Sequence, residues 1–232
     1  VQLNLFESND ISMLPSSYEI EELKNIYKES NIQYIIHMPL DIDICSDNNN
    51  FRKESVQKVE YIYHLTKRIN PLGYILHLER YKVANEEKWI DNTFESLDQL
   101  YKEIPKQKLL IENIGSYKSK FIYPILDFYS SHICLDISHA IKAGEDWEFI
   151  YNRYFNRINA IHFYGPEINN SHQCLRKHPR EFISHVIETL IATNYSNPLI
   201  LELFNEIDFF ESKKILEQEI SNYYRSKLYK VG

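Results

Sequence analysis

Cysteine is scarce in this sequence, with three residues among 232 and no CxxC pair. The three residues, Cys45, Cys134 and Cys174, are too widely spaced for a compact disulfide framework or a cysteine-rich zinc site. We therefore set aside the class of small disulfide-stapled secreted domains. We expect reduced, mostly buried thiols in a cytoplasmic protein.

Long apolar runs and an excess of basic charge are also missing. No run approaches the roughly 18 residues of a membrane-spanning helix, and no charged-then-apolar leader opens the chain. Lysine and arginine number 26 against 33 acidic residues, a formal net charge of −7. Non-specific nucleic-acid binding needs cationic surface, so the acidic balance disfavours a nucleic-acid partner. We expect a small-molecule substrate, a cobamide or a sugar, and no membrane partner. An anionic substrate is still allowed, because bound cations can outweigh the net charge locally.

Glycine is rare too, with five residues. The chain has no glycine-rich loop that would cradle a phosphate, no GxSxG nucleophile elbow and no Cys–His pairing suited to nucleophilic catalysis.

Short apolar runs alternate with amphipathic stretches along the whole chain. The strand-like runs cover residues 1–6, 33–37, 74–78, 108–112, 132–136, 158–163 and 198–204. The helix-like stretches cover residues 17–30, 52–69, 86–104, 121–130, 146–156, 180–194 and 210–226. Continuous Ile, Leu, Val and Tyr runs are typical of parallel strands covered on both faces. The pattern predicts an α/β fold with a parallel sheet and a single domain over residues 1–232.

Seven strands are one short of a closed (β/α)8 TIM barrel. The run at Val1 reads as a strand with nothing before it. We therefore expect a TIM barrel that lacks or truncates its first strand.

Six of the seven strand-like runs end in, or lead into, a residue that can bind a metal. These residues are His37, His77, Glu112, Asp136, His162 and Glu202. In a parallel barrel the carboxyl ends of all strands open on one face, where active sites form. A lone residue of this kind is more often structural, but six at one face predict a metal site. Imidazoles mixed with carboxylates suit zinc first, with manganese or iron as alternatives.

Further candidates lie near the same strand ends. His139 follows Asp136 by three residues, and His172 follows a predicted turn at residues 163–166, so the two could hold a further ion or hydrogen-bond to substrate or backbone. The predicted substrate contacts are Arg80, Asn113 and Tyr164. Asp41 is a candidate for orienting a ligand histidine from behind.

These residues, in this order, resemble the xylose-isomerase-like TIM-barrel superfamily, which includes endonuclease IV-type apurinic endonucleases, sugar isomerases and sugar epimerases. The resemblance implies a core of Glu112, Asp136, His162 and Glu202. The endonuclease branch further implies that His37 and His77 share Glu112 around one ion, and that His139 and His172 hold a third. That branch has an aspartate two residues before the last histidine, where this chain has Asn170.

A closer resemblance is to the cobamide-remodelling hydrolases of the same superfamily. It rests on the runs at residues 1–7, 37–41, 76–79, 111–113, 135–140 and 171–175. In the last run Ser171 stands where those proteins usually have aspartate. The resemblance implies a phosphodiesterase that cleaves the nucleotide loop of a cobamide, with Glu112 bridging two ions and Asp136 or Glu202 positioning the attacking water.

Three alternatives stay open at this point. One is a sugar isomerase or epimerase with a single divalent ion, in which two glutamates exchange protons with the sugar. The second is an endonuclease IV-like apurinic endonuclease. The third is a barrel that binds a small molecule without turning it over.

Overall fold

The computed structural model describes residues 1–5, 7–80, 85–169 and 171–228. Its strands are β1 (Gln2–Asn4), β2 (Ile35–His37), β3 (Tyr74–His77), β4 (Leu109–Glu112), β5 (His132–Asp136), β6 (Ile158–His162), β7 (Gly165–Ile168), β8 (Ser171–Gln173) and β9 (Leu199–Ile200). Its α-helices are α1 (Ser17–Ser30), α2 (Asn49–Thr66), α3 (Glu86–Glu103), α4 (Tyr123–Tyr129), α5 (Ile137–Lys142), α6 (Trp147–Tyr154), α7 (Arg180–Ala192) and α8 (Glu206–Leu228).

Seven of these strands form one parallel sheet in the order β1-β2-β3-β4-β5-β6-β9. All six neighbouring pairs are parallel. The predicted α/β barrel is therefore confirmed as a nearly closed seven-stranded barrel surrounded by helices, with β1 and β9 as the unpaired edges among the described residues. Because strands from both ends of the chain join this sheet, we infer a single domain.

The helices begin where the sequence offers capping groups. Ser16 and Glu19 form a reciprocal capping box at the start of α1, which runs over Ser17–Ser30 as predicted. Asn48, Asn85 and Asp146 cap α2, α3 and α6 through their side-chain oxygens. These side chains satisfy backbone N–H groups that the first turn of each helix leaves unpaired.

Two elements differ from the prediction. The segment after β6, predicted as a turn followed by a loop, forms the antiparallel hairpin β7–β8, and His172 lies on its second strand. The short helix α5 directly follows β5, and Asp136 caps it by accepting a hydrogen bond from the His139 backbone at 2.6 Å. Both elements are too short to give a periodic signal. Phe6 of the first predicted strand and Asn170 lie outside the described residues.

The core has two parts, because side chains alternate between the two faces of each strand. Outward-facing residues such as Ile36, Leu76 and Ile161 pack against the helices in a large apolar cluster. The inward-facing cluster is smaller and fills the barrel interior. It consists of Ile35, Ile75, Leu110, Cys134 and Ala160, with Ile200 packed against it. We call these six residues the barrel floor.

The prediction for the cysteines is confirmed, since all three are buried and unpaired. Among the helices that the structure describes, none combines the length and apolar character that crossing a membrane requires.

We expect Leu110→Ala, a change in the barrel floor, to lower the free energy of unfolding by about 2–5 kcal/mol. Leu110 is fully buried, so the substitution leaves a cavity inside the barrel. Denaturant titration measures the change, and Ile220→Ala, at a position 39% exposed, is the control, for which we expect a change within about 0.5 kcal/mol. Equal effects of the two substitutions would contradict the described core.

Candidate metal centre

The six strand-end residues lie directly above the barrel floor. Each follows a floor residue by two positions along its strand, so that both point into the barrel. The pairs, in chain order, are Ile35 and His37, Ile75 and His77, Leu110 and Glu112, Cys134 and Asp136, Ala160 and His162, and Ile200 and Glu202. The alternation of strand residues therefore brings imidazoles and carboxylates from six distant segments into one layer.

Glu112 lies at the centre of this layer and is fully buried. Its two oxygens face different partners. Oε2 lies 3.3 Å from His37 Nε2 and 3.2 Å from His77 Nε2. Oε1 lies 3.2 Å from His162 Nδ1 and 3.3 Å from His139 Nδ1. The carboxylate thus separates two groups of nitrogen ligands, which is the arrangement of a bridging ligand.

These residues form two sets whose ligand atoms lie within 4.8 Å of one another. One set is His37, His77 and Glu112, and the other is Glu112, Asp136, His162 and Glu202. Mixed imidazole and carboxylate ligands of this kind suit zinc, manganese or iron. A third set joins His139, His172 and Glu167.

Hydrogen bonds behind the histidines determine which ring nitrogen faces the centre. His37 Nδ1 lies 2.8 Å from the Met38 carbonyl oxygen, and His77 Nδ1 lies 3.4 Å from Glu79 Oε1. An Nδ1–H group that donates to these acceptors leaves Nε2 free to offer its lone pair to an ion held between the ring and Glu112. Such partners orient ligand histidines and raise their basicity.

His162 has the opposite orientation. Its Nε2 lies 2.8 Å from Gln2 Oε1, so that Nδ1 faces the centre. The Gln2 amide nitrogen donates to Glu202 Oε1 at 2.9 Å and to Asn4 at 2.7 Å. One glutamine on β1 therefore positions two residues of the second set.

Burial and charge shift the acid–base properties of the cluster in the protein without metal. Burial opposes protonation of His77, but the Glu112 carboxylate outweighs it and raises the pKa of His77 to about 10. Burial likewise opposes protonation of His139, but Asp136 and then Glu112 raise its pKa to about 9. For Glu112, burial disfavours the charged form, yet His162 and His77 hold its pKa well below the usual range. Positive charge next to Glu112 therefore stabilises its ionised form.

Two buried polar atoms test whether a metal fits here. Within the described residues, neither Asp136 Oδ2 nor Tyr164 Oη has a partner in hydrogen-bonding geometry. His139 Nδ1 and His162 Nδ1 lie 3.2 Å and 3.7 Å from Asp136 Oδ2. A buried carboxylate oxygen without a hydrogen bond is costly unless protonated rings or a metal cation compensate its charge. Asp136 belongs to the second ligand set, so the residues present fit a divalent ion.

A cavity of about 530 Å³ opens above the centre. Its polar lining includes His37, His77, Glu79, His139, Lys142, Glu167, His172 and Glu202. Its apolar lining includes Leu5, Met38, Leu40, Ile114 and Phe204. Leu40 and Phe204 are each more than half exposed. The cavity therefore combines a polar base that holds candidate ligands with an apolar rim.

None of the three predicted substrate contacts lines this cavity, and their role as substrate contacts stays a prediction. The guanidinium of Arg80 stacks 3.8 Å from the Phe121 ring centre and pairs with Glu86 at 3.1 Å. Both ends of the Asn113 amide bond the Asp136 backbone, at 2.8 and 2.9 Å, and so join β4 to β5.

Tyr164 is completely buried and does not line the cavity. Its ring stacks on His172 with centres 3.8 Å apart and planes 9° apart, which fixes the histidine. Asp41 does not orient a ligand histidine. Its carboxylate accepts hydrogen bonds from Ser8 and Asn9.

Three residues of the centre escaped the sequence reasoning, namely Gln2, Glu79 and Glu167. Gln2 and Glu167 lie on β1 and β7, and Glu79 follows β3 by two residues, so all three join the site only through the barrel geometry. A usable signal existed for Glu79, which continues the inward alternation from His77.

The family model of the xylose isomerase-like TIM barrel matches residues 1–226. The chain therefore belongs to this family, as its motif order indicated. The match covers almost every element that forms the barrel and the centre.

Two curated relatives are probable endonucleases. Probable endonuclease 4 of Halothermothrix orenii is 26% identical over 146 residues, covering 58% of this chain and 52% of that protein. Probable endonuclease 4 of Carboxydothermus hydrogenoformans is 25% identical over 139 residues, covering 54% and 49%. The chain thus spans about half the length of the curated relatives that it matches.

Solved structures share the fold at lower identity. A D-tagatose 3-epimerase-like protein superimposes with a TM-score of 0.82 at 17% identity, covering 97% of this chain and 89% of that one. Endonuclease IV of Thermus thermophilus superimposes with a TM-score of 0.73 at 14% identity, covering 95% and 88%. The same barrel therefore occurs in proteins named as epimerases and as endonucleases, so that the fold leaves both a small molecule and a nucleic acid open as substrates.

We expect metal binding to release protons and to strengthen as the pH rises from 6 to 9. A metal takes the neutral imidazole, whereas the raised pKa values of His77 and His139 keep both rings protonated at pH 7 in the metal-free protein. Affinity should rise about tenfold per pH unit for each proton displaced. Calorimetric zinc titrations in two buffers with different ionisation heats count the protons. His64→Ala, on an exposed ring, is the control, and affinity that does not change with pH would contradict the assignment.

We expect Gln2→Leu to weaken metal binding at the second set by about 10- to 100-fold. The substitution removes the partner of His162 Nε2 and of Glu202 Oε1. Isothermal titration measures the affinity, and the matched control is Gln99→Leu, which removes a surface glutamine bonded to Glu60. Unchanged affinity in Gln2→Leu would mean that this residue has only a packing role.

Proposed function

We propose that the chain is a metal-dependent phosphodiester hydrolase that holds two divalent ions bridged by Glu112. The observation that carries this proposal is the division of partners between the two Glu112 oxygens. Oε2 faces His37 and His77, whereas Oε1 faces His162. The His139 ring also lies beside Oε1, but it belongs to the third set. A site for one ion has no need of nitrogen ligands on both sides of a single carboxylate.

Two bound divalent ions supply a Lewis acid for the phosphoryl oxygens and a water activated at neutral pH. In the hydrolysis, the water oxygen bonds to phosphorus while the bond from phosphorus to the leaving ester oxygen breaks. That oxygen takes up a proton. We assign Asp136 and Glu202 to the second ion and to positioning the attacking water. His37 and His77 would complete the ligand set of the first ion, on the side of Glu112 that the cavity lines.

We propose a cobamide as the substrate, cleaved at the phosphodiester of its nucleotide loop to release the nucleotide from cobinamide. The motif order at residues 37–41, 111–113 and 135–140 supports this choice. The apolar rim of Met38, Leu40, Ile114 and Phe204 suits a large ring system above a polar base. The net charge of −7 disfavours extended contact with DNA. Zinc is the first ion to test, followed by manganese and iron.

A second candidate is a sugar epimerase with one ion on Glu112, Asp136, His162 and Glu202. Two observations favour it. These four residues form a complete ligand set on their own, and the chain superimposes well on a D-tagatose 3-epimerase-like protein. In that enzyme His37 and His77 would contact the sugar hydroxyl groups. The number of bound ions separates the two functions, because the epimerase needs only one.

We expect the purified protein to contain at least two divalent ions per chain and Glu112→Gln to lose at least one of them. Phosphodiesterase activity should fall by more than about 100-fold. Removing even an indirect partner of a metal ligand lowers metal affinity or activity by about 10- to 100-fold, and Glu112 would bind the ions directly. Elemental analysis measures the ions. Hydrolysis is followed on a cobamide, on a model phosphodiester and on DNA containing an abasic site.

Glu219→Gln is the matched control, because Glu219 is also buried but pairs with Arg180 and Ser184 on another part of the protein. We expect it to keep its ions. A single ion together with ketose epimerisation would replace the proposal by the second candidate. Near-wild-type hydrolysis in a folded Glu112→Gln protein would overturn the role of this residue.

A further inference from the structure

We propose that Glu167, on the hairpin β7–β8, is the carboxylate ligand of a third and exchangeable divalent ion held with His139 and His172, and that Lys142 competes with this ion for Glu167. The inference rests on the proposed function, because the third ion would lie beside the two that Glu112 bridges. It assigns a ligand and a regulating cation that the motif order does not contain.

The first support is the geometry of the three ligands. One ligand atom from each residue lies within 4.8 Å of the other two. His139 Nε2 lies 4.0 Å from Glu167 Oε2. Zinc bonds of about 2.1 Å in a tetrahedron place ligand atoms about 3.4 Å apart, so only a small side-chain adjustment brings these atoms into range.

The second support is the orientation of the two rings. His139 Nδ1 lies 3.1 Å from the Asn113 carbonyl oxygen, and His172 Nδ1 lies 2.8 Å from the Glu202 carbonyl oxygen. Bonds donated by Nδ1 leave both Nε2 atoms as lone-pair donors, and Tyr164 holds the His172 ring from its other face. Two preoriented imidazoles and a carboxylate that is only 10% exposed make a three-ligand site.

The hairpin explains why Glu167 can act here although it is five residues before His172. Ile168 pairs with Ser171 and Gly165 with Gln173, so Pro166 and Glu167 both stand opposite His172 at an irregularity of the hairpin. This arrangement brings ligand atoms of Glu167 and His172 within 4.8 Å of each other. The carboxylate thus comes from β7, whereas the endonuclease pattern has an aspartate at the position of Asn170.

Lys142 distinguishes this third site from the two ligand sets that share Glu112. Its ammonium lies 2.8 Å from Glu167 Oε1 and is 42% exposed. Of the described residues that line the cavity, it is the only lysine or arginine. Gly115 makes room for its stem, since a Cβ there would lie 2.7 Å from Lys142 Cδ. A positive charge bound to one carboxylate oxygen repels a dication at the other, so the third ion should be the weakest.

The test is elemental analysis and zinc titration of the whole protein and of two variants. We expect three ions in the wild-type protein at saturating zinc and two in Glu167→Gln. We expect Lys142→Met to keep three and to bind the weakest ion about tenfold more tightly. Exposed Glu217 and Lys213, a pair 3.7 Å apart on α8, give the matched controls Glu217→Gln and Lys213→Met, which should leave both readouts unchanged.

The outcomes separate this inference from the proposed function. Two ions in both the wild-type protein and Glu167→Gln would overturn the third site while leaving the bridged pair intact. One ion or none in the wild-type protein would overturn the bridged pair itself. Weaker binding of the third ion in Lys142→Met would overturn the competition, because Lys142 would then be holding Glu167 in place for the ion. Circular dichroism of each variant identifies any loss of fold.

Discussion

A carboxylate with no exposed surface, Glu112, is the constraint on which the rest of this centre depends. An isolated buried charge costs far more than a single hydrogen bond returns. The chain meets this cost with four imidazole rings around the two oxygens. Those rings come from β2, β3, β6 and α5. Stabilising the one buried carboxylate therefore requires these four segments to meet around it. The barrel floor below them is apolar apart from the Cys134 thiol, whose sulfur lies within 4.8 Å of a Glu112 oxygen.

Much of this arrangement follows from the sequence by simple geometry. Parallel strands end on one face, so His37, Glu112 and His162 could be predicted to meet without knowledge of any contact. Apolar runs also predicted the strands within a few residues. The sequence did not predict the shortest elements or the hydrogen bonds between residues that meet only across the barrel. Helix α5 has six residues and the hairpin strands have four and three, too few for periodicity to appear. Gln2 and Glu202 are 200 residues apart, and no local pattern links them.

The predicted substrate contacts lie outside the cavity lining for a related reason. A polar residue just after a strand can face the cavity, a neighbouring strand or the helices, and sequence position alone does not distinguish these directions. Asn113 bonds the backbone of the next strand, whereas Arg80 stacks against Phe121. The cavity wall is instead formed by residues such as Leu40 and Phe204, which have no chemical signature. Proteins named as epimerases and as endonucleases share this barrel, so the fold alone does not identify the substrate.

The open side of the barrel, between β1 and β9, has one further consequence. No backbone ladder joins these two edges in the described part of the chain, yet Gln2 on β1 bonds both His162 and Glu202. The side chains that would surround an ion, His162 and Glu202, therefore also hold β1 in place through Gln2. An ion held by His162 and Glu202 would also strengthen the link that Gln2 makes between β1 and the end of β9. Removal of the ion by a chelator should favour local opening between β1 and β9. The backbone amides of these two strands should then exchange with solvent before those of the inner strands.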